Sequence, residues 1–136
     1  MQIITITLRS AHFDFLVRIA KESLPLECCA FLLGSGENDF LVHEILPMKN
    51  VDESKFSFSI EPEQLMYAYG LAEKKKLQIV GIFHSHPSKP VPSLTDVRFM
   101  EINPVVWLIY STITNQLKGY IYDDDHVIEV CVRIME

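Results

Sequence analysis

The stretch 79-IVGIFHSHPSKPVPSLTD-96 restricts the fold and the chemistry of this chain more than any other feature. It begins as an apolar run, which is typical of a buried strand, and then reaches His84 and His86. Alternate residues of a strand point to the same face, so both imidazoles project together. Burying them without partners is costly. The pair therefore indicates either two ligands of one metal ion or two histidines that are hydrogen-bonded to backbone groups.

A serine and a carboxylate, Ser93 and Asp96, follow the histidine pair in the sequence. Ser93 and Asp96 form a capping signature at a helix start, which by itself explains both residues. A residue in the first turn of a helix that follows a strand can also point back at the strand end, where ligands collect in α/β folds. Asp96 is therefore the candidate third ligand beside His84 and His86. Two imidazoles and one carboxylate suit Zn²⁺, with the fourth position left to water.

Hydrolysis at a zinc site also needs a group that moves protons. Glu27 is the best candidate because it begins the apolar run 28-CCAFLLG-34. An acid in that position lies either at a cleft or at a solvent-facing strand end. Glu44, Glu53 and Glu101 are weaker candidates, since their amphipathic or helical surroundings predict exposure.

Composition limits the class of protein. The 136 residues, 49% hydrophobic and 22% charged, predict one soluble globular domain over residues 1–136. The net charge of −6 is opposite to that of most nucleic-acid binders, so we expect no nucleic-acid partner. No segment approaches the ~18 apolar residues that cross a bilayer, so we expect no membrane partner. The odd set Cys28, Cys29 and Cys131 gives no disulfide framework and predicts a reducing, cytoplasmic location.

Periodicity and turn residues predict the elements of the fold. We expect three helices, the first capped by Ser10, over about 11–23, 61–76 and 93–102. We expect strands over 3–7, 28–34, 40–48, 55–60, 77–86, 105–111, 117–123 and 127–135. The predicted fold class is α/β, a single domain in which a mixed central β-sheet is flanked by about three helices.

The ordered pattern resembles the JAMM/MPN+ metalloproteases, the Mov34/MPN/PAD-1 domains. The family motif is a glutamate on an early strand, then His-x-His-Pro, then Ser-x-x-Asp, which here correspond to Glu27, 84-HSHP-87 and 93-SLTD-96. The flanks 25-PLECCAFLLG-34 and 50-NVDESKFSFSIEPEQL-65 also resemble the family. The short chain is similar to stand-alone prokaryotic members. The resemblance implies a JAMM/MPN, cytidine-deaminase-like fold.

The resemblance also implies roles for individual residues. His84, His86 and Asp96 would bind one Zn²⁺ per chain, and Glu27 would act as general base and then as general acid. Ser93 would donate a hydrogen bond to the oxyanion of the tetrahedral intermediate. The implied substrate is a ubiquitin-like or sulfur-carrier protein, cut at a peptide or isopeptide bond after its Gly-Gly tail.

The sequence departs from the family pattern at two places. The loop between His86 and Ser93 holds six residues, one fewer than the family pattern, and Ala30 stands where the family often has glycine. Two other functions stay open: a catalytically silent MPN-type binding module and a DNA-repair-associated relative. The sequence also leaves open whether the chain forms a homodimer.

Overall fold

The computed structural model describes residues 3–49 and 60–136. Its elements follow in the order β1 (Thr5–Arg9), α1 (Ser10–Ser23), β2 (Cys29–Ser35), β3 (Asp39–Met48), α2 (Pro62–Lys74), β4 (Gln78–His86), α3 (Leu94–Ile102), β5 (Val106–Ser111), β6 (Leu117–Asp123) and β7 (His126–Met135). These elements confirm the three predicted helices and seven of the predicted strands within a few residues. The strand predicted over 55–60 and the acid Glu53 lie outside the described residues, except for Ile60.

The seven strands close into a barrel in the order β1-β3-β2-β4-β5-β6-β7. The predicted central sheet flanked by helices is therefore wrong, although helices and strands are both present. Closure comes from β1, which runs parallel to β3 through Thr5–Thr7 and parallel to β7 through Thr5–Arg9. A period-2 pattern specifies which residues share a face, but it does not specify which strands from distant parts of the chain will pair.

Strands β2, β4 and β5 lie at the centre of the structure and are buried on both faces. Alternate residues of these strands enter two separate apolar clusters. One cluster includes Leu16 and Ala20 of α1, and the other includes Ala68 of α2 and Met100 of α3. This double burial explains why these strands appear as continuous apolar runs in the sequence.

Local sequence fixes the ends of the helices. Helix α2 begins with a capping box in which Glu61 and Gln64 bond to each other's backbone N–H groups, with Pro62 in the first turn. The predicted cap of α1 is wrong by one residue: Arg9 occupies that position without a side-chain bond, and Ser10 is already helical. The turn between β2 and β3 uses Gly36 with φ of 122°, a conformation that suits glycine. Within the described ranges, none of the helices is long and apolar enough to cross a membrane.

Candidate metal centre

The two histidines lie at the carboxyl end of β4. His84 is fully buried, and its Nδ1 lies 3.0 Å from the carbonyl oxygen of Ser85. Because a carbonyl only accepts, Nδ1 carries the hydrogen and donates it. Nδ1 of His86 lies 2.6 Å from Oγ of Ser88. Both rings thus have one nitrogen engaged by an oxygen, as metal-binding histidines usually do.

Asp96 reaches these rings from the first turn of α3. Its Oδ1 lies 3.2 Å from Nε2 of His84, and its Oδ2 lies 3.8 Å from Nε2 of His86. The same carboxylate completes the helix cap: Oδ2 accepts the backbone N–H of Ser93 at 2.8 Å, and Oγ of Ser93 accepts that of Asp96 at 3.1 Å. The capping interpretation and the ligand interpretation therefore both apply to Asp96.

Glu27 approaches the centre from the other side of the His84 ring. It lies two residues before β2, is 3% exposed, and places Oε1 3.4 Å from Nδ1 of His84. It thus contacts the nitrogen opposite the one that faces Asp96. Of the weaker candidate acids, Glu44 pairs with Lys75 at 2.7 Å and is accounted for by that contact.

Ser85 connects the segment just before β2, which carries Glu27, to β4, which carries the histidines. Its side chain points away from them, as the strand period predicts, and its Oγ accepts the backbone N–H of Cys28 at 2.9 Å. The backbone N–H of Ser85 donates to the carbonyl of Cys28 at 3.0 Å. The pair of bonds fixes the residue next to Glu27 against the residue next to His84. Strand alternation accounts for the direction of Ser85, but residue types alone do not predict this contact.

The four titratable groups interact strongly. Burial opposes charge on His84, but hydrogen bonds to Asp96 and Glu27 outweigh it and raise its pKa to about 9. Burial alone would raise the pKa of Asp96, yet the hydrogen bond and charge of His84 lower it. Burial and the nearby charge of His84 lower the pKa of His86. As placed, the two acids favour the protonated form of the His84 imidazole.

The residue types fit zinc. Two donors that bind one tetrahedral zinc ion are about 3.4 Å apart, and the His84–Asp96 distance of 3.2 Å is close to this value. The corresponding distance from His86 is longer, at 3.8 Å. Across the described ranges, no three His, Cys, Asp or Glu side chains surround a common point closely enough to hold an ion as placed. The donor set is suitable, but its atoms are arranged here as ion pairs.

A cleft of about 350 Å³ borders Glu27. Its lining consists of Glu22, Ser23, Leu26, Glu27, Cys28, Met48 and Lys49. Three larger cavities, of about 430, 420 and 390 Å³, lie elsewhere and are lined by none of the candidate residues. We regard the smaller cleft as the relevant one because Glu27, the candidate general base, lines it.

Two aromatic residues belong to the surroundings of the centre and carried no signal in the sequence. Trp107 stands edge-on to His84, with 6.4 Å between ring centroids, and its Nε1 donates to the carbonyl of Asn103 at 3.1 Å. Tyr120 donates from its hydroxyl to the carbonyl of Pro90 at 2.7 Å. Each contact joins different elements, so local sequence patterns do not reveal it.

The remaining histidines and cysteines have other surroundings. His43 bonds to Ser35, and His126 bonds to the carbonyl of Asp124. Burial raises the pKa of Cys28, and burial together with the nearby charges of Cys28 and Glu27 raises that of Cys29 to about 12. Both thiols are therefore poor nucleophiles.

Comparison with known proteins finds a matching family, a similar protein and a similar solved structure. Residues 9–120 match the family described as prokaryotic homologs of the JAB domain. A protein named desampylase, from Pyrococcus furiosus, is 34% identical over 115 residues, which cover 84% of this chain and 79% of that protein. The solution structure of protein DSY2949 from Desulfitobacterium hafniense superposes with a TM-score of 0.85 at 29% identity, covering 96% of this chain and 93% of that one.

Proposed function

Since the chain belongs to the family of prokaryotic homologs of the JAB domain, we propose that it is a zinc-dependent peptidase or isopeptidase. Its substrate would be the C-terminal tail of a ubiquitin-like protein. The observation that carries the proposal is the 3.2 Å approach of Asp96 to Nε2 of His84, with Glu27 against the same ring. We further propose that residues 1–136 act as one domain.

In this proposal His84, His86 and Asp96 hold the metal. When bound, zinc would supply Lewis acidity to the centre. The hydrogen bond from His84 to the carbonyl of Ser85 orients the ring and keeps Nε2 as the binding nitrogen. The cap between Ser93 and Asp96 fixes the carboxylate. These contacts reduce the reorganisation that ligand binding requires.

Glu27 would transfer the proton that hydrolysis requires. Its carboxylate lies between the buried His84 ring and the cleft, so it can take a proton from an attacking water and deliver it to a leaving amine. Ser93 accepts one bond through Oγ, and its own hydroxyl hydrogen stays available as a donor. We propose that this hydrogen stabilises the developing oxyanion.

The desampylase relative supports an isopeptide substrate, since that name refers to removal of the ubiquitin-like modifier Samp. A modifier joined through its C-terminal tail would offer an extended chain to the cleft beside Glu27. A sulfur-carrier protein with a Gly-Gly tail is the second substrate that we propose to test. A homodimer stays a prediction. We propose a cytoplasmic location because Cys28, Cys29 and Cys131 are free thiols.

A silent binding module is the second candidate function. It is favoured by the ion pairs of His84 with Asp96 and Glu27, because these side chains satisfy one another as placed. Such a centre needs no metal to remain folded.

One experiment separates these functions. Zinc content would be measured for the wild-type protein, Glu27→Gln and the control Glu101→Gln. Hydrolysis would be measured on a linear tail-extended ubiquitin-like protein and on an isopeptide conjugate. We expect about one zinc per chain in all three proteins, and a loss of turnover of about 10²–10⁴-fold in Glu27→Gln alone. A wild-type protein without zinc and without hydrolysis of either substrate would instead establish the silent module.

A further inference from the structure

The loop that joins the histidine pair to Ser93 is short and poor in hydrogen-bond donors. It comprises residues 87–92, and prolines at 87, 90 and 92 have no backbone N–H. The N–H of Val91 bonds within the loop, to the carbonyl of Lys89 at 2.8 Å. The loop therefore needs a donor from elsewhere in the protein to hold its centre in one place.

Tyr120 provides that donor. It lies on β6, is 6% exposed, and its hydroxyl donates to the carbonyl of Pro90 at 2.7 Å. A buried tyrosine hydroxyl needs such a partner, and so does the buried carbonyl. Burial and the nearby charge of Glu129 raise the pKa of Tyr120, so the hydroxyl remains a donor across the usual assay range.

The Tyr120 ring belongs to the same buried cluster as Trp107. It pairs across β5 and β6 with Trp107, which stands edge-on to His84. The cluster also includes Met100 of α3, the helix that carries Asp96 in its first turn. Tyr120 thus contacts the loop from the same buried cluster that includes Trp107 beside His84 and Met100 of α3.

We propose that Tyr120 is a positioning residue for the metal centre, which acts by fixing the loop at Pro90. The hydrogen bond divides the loop into two short spans, one ending at His86 and one at Ser93. Each span then has little freedom, so the carboxylate of Asp96 is held facing the imidazoles. The inference rests on the proposed function, because it takes His84, His86 and Asp96 as the ligands.

The test uses Tyr120→Phe, which removes the hydroxyl and keeps the ring. The control is Tyr122→Phe, a residue on the same strand whose hydroxyl lies 3.5 Å from Oδ1 of Asp125. Zinc affinity would be measured by competition with a chromophoric chelator, and coordination by the visible spectrum of the cobalt-substituted protein. Loss of an outer contact typically weakens metal binding about 10–100-fold. We expect a loss of that size and an altered cobalt spectrum for Tyr120→Phe, and neither change for the control.

A merely structural role would give a different result. Tyr120→Phe would then melt at a lower temperature but bind zinc as tightly as the wild type and with the same cobalt spectrum, which would overturn the inference while leaving the proposed function intact. If the wild-type protein binds no zinc, the proposed function and the inference both fail.

The wild-type protein offers a second measurement that does not depend on how the variant folds. Coupling between two sites is reciprocal, so zinc must strengthen the Tyr120 hydrogen bond if that bond favours zinc. In protein labelled with ¹³C at tyrosine Cζ, we expect zinc to shift the Tyr120 resonance, with saturation at one equivalent, and to leave the Tyr122 resonance in place. An unmoved Tyr120 resonance in zinc-loaded protein would contradict the coupling.

Discussion

The carboxylate of Asp96 lies 3.2 Å from Nε2 of His84, although one residue lies in the first turn of a helix and the other near the end of a strand. A loop of six residues, three of them proline, separates His86, the last residue of the strand, from Ser93, the N-cap of the helix. The family pattern has one more residue here, and the shorter loop still brings the two groups together. The centre therefore depends on how rigidly a short connection is held.

Asp96→Asn should separate the ligand role of this residue from its capping role. The amide oxygen can still accept the Ser93 N–H, so α3 should form, but the anionic donor is lost. Loss of a hydrogen bond to a metal ligand typically lowers metal affinity about 10–100-fold. We expect the loss of the ligand itself to lower zinc affinity further. Chelator competition measures the affinity, far-UV circular dichroism checks the helix, and Asp39→Asn at an exposed strand end is the control. Unchanged affinity would remove Asp96 from the ligand set.

Two variants can separate the capping role of Ser93 from the role of its hydroxyl in turnover. Alanine at an N-cap costs about 1 kcal/mol of stability, whereas glycine costs only a few tenths. Both variants lose the hydroxyl. We expect Ser93→Ala and Ser93→Gly to lose turnover to the same extent while differing in the free energy of unfolding. Activity that follows stability instead would show that the hydroxyl acts only as a cap.

Ser85→Ala should destabilise the fold. It leaves the buried N–H of Cys28 without its acceptor, which costs about 1–3 kcal/mol. Urea denaturation measures the loss, and Ser35→Ala is the control because the Ser35 hydroxyl bonds to His43 at an exposed position. Equal stability of the two variants would argue against the role of Ser85 in joining β2 to β4.

The cysteines should react in two classes. Cys131 is exposed, while burial raises the pKa of Cys28 and raises that of Cys29 to about 12, so both remain protonated thiols at pH 8. We expect a disulfide reagent at pH 8 to modify one thiol per native chain and all three after unfolding. Cys131→Ser should abolish the native reaction. Rapid modification of a second native thiol would contradict the burial of the pair.

The metal-free protein should lose stability as the pH rises. The folded-state pKa of His84 is about 9, above its ordinary value of 6.5, so the folded state binds the proton more tightly. The proton on His84 therefore stabilises the folded state fully below pH 6.5, and this stabilisation disappears as the pH rises through 9. Urea denaturation in the presence of a chelator measures it, and His84→Gln should remove the slope in that window. A wild-type stability that rises between pH 6.5 and 9 would contradict the ion pairs.

Part of this structure was predictable because the relevant rules are local. Strand alternation placed His84 and His86 on one face, and the capping signature correctly started α3 after Ser93. Barrel closure was not predictable, because the pairing of β1 with β7 joins the two ends of the described chain and leaves the period of each strand unchanged. The approach of Glu27 to Nδ1 rather than Nε2 depends on the register between β2 and β4, which residue types do not encode.

Trp107 is the sole tryptophan of the chain, and its ring is inclined at 75° to that of His84. All indole fluorescence of the protein therefore originates beside the candidate centre. Any ion or proton gained or lost by that imidazole changes the electric field at the fluorophore. Occupancy of the centre can thus be followed optically in the unlabelled protein, before any substrate has been identified.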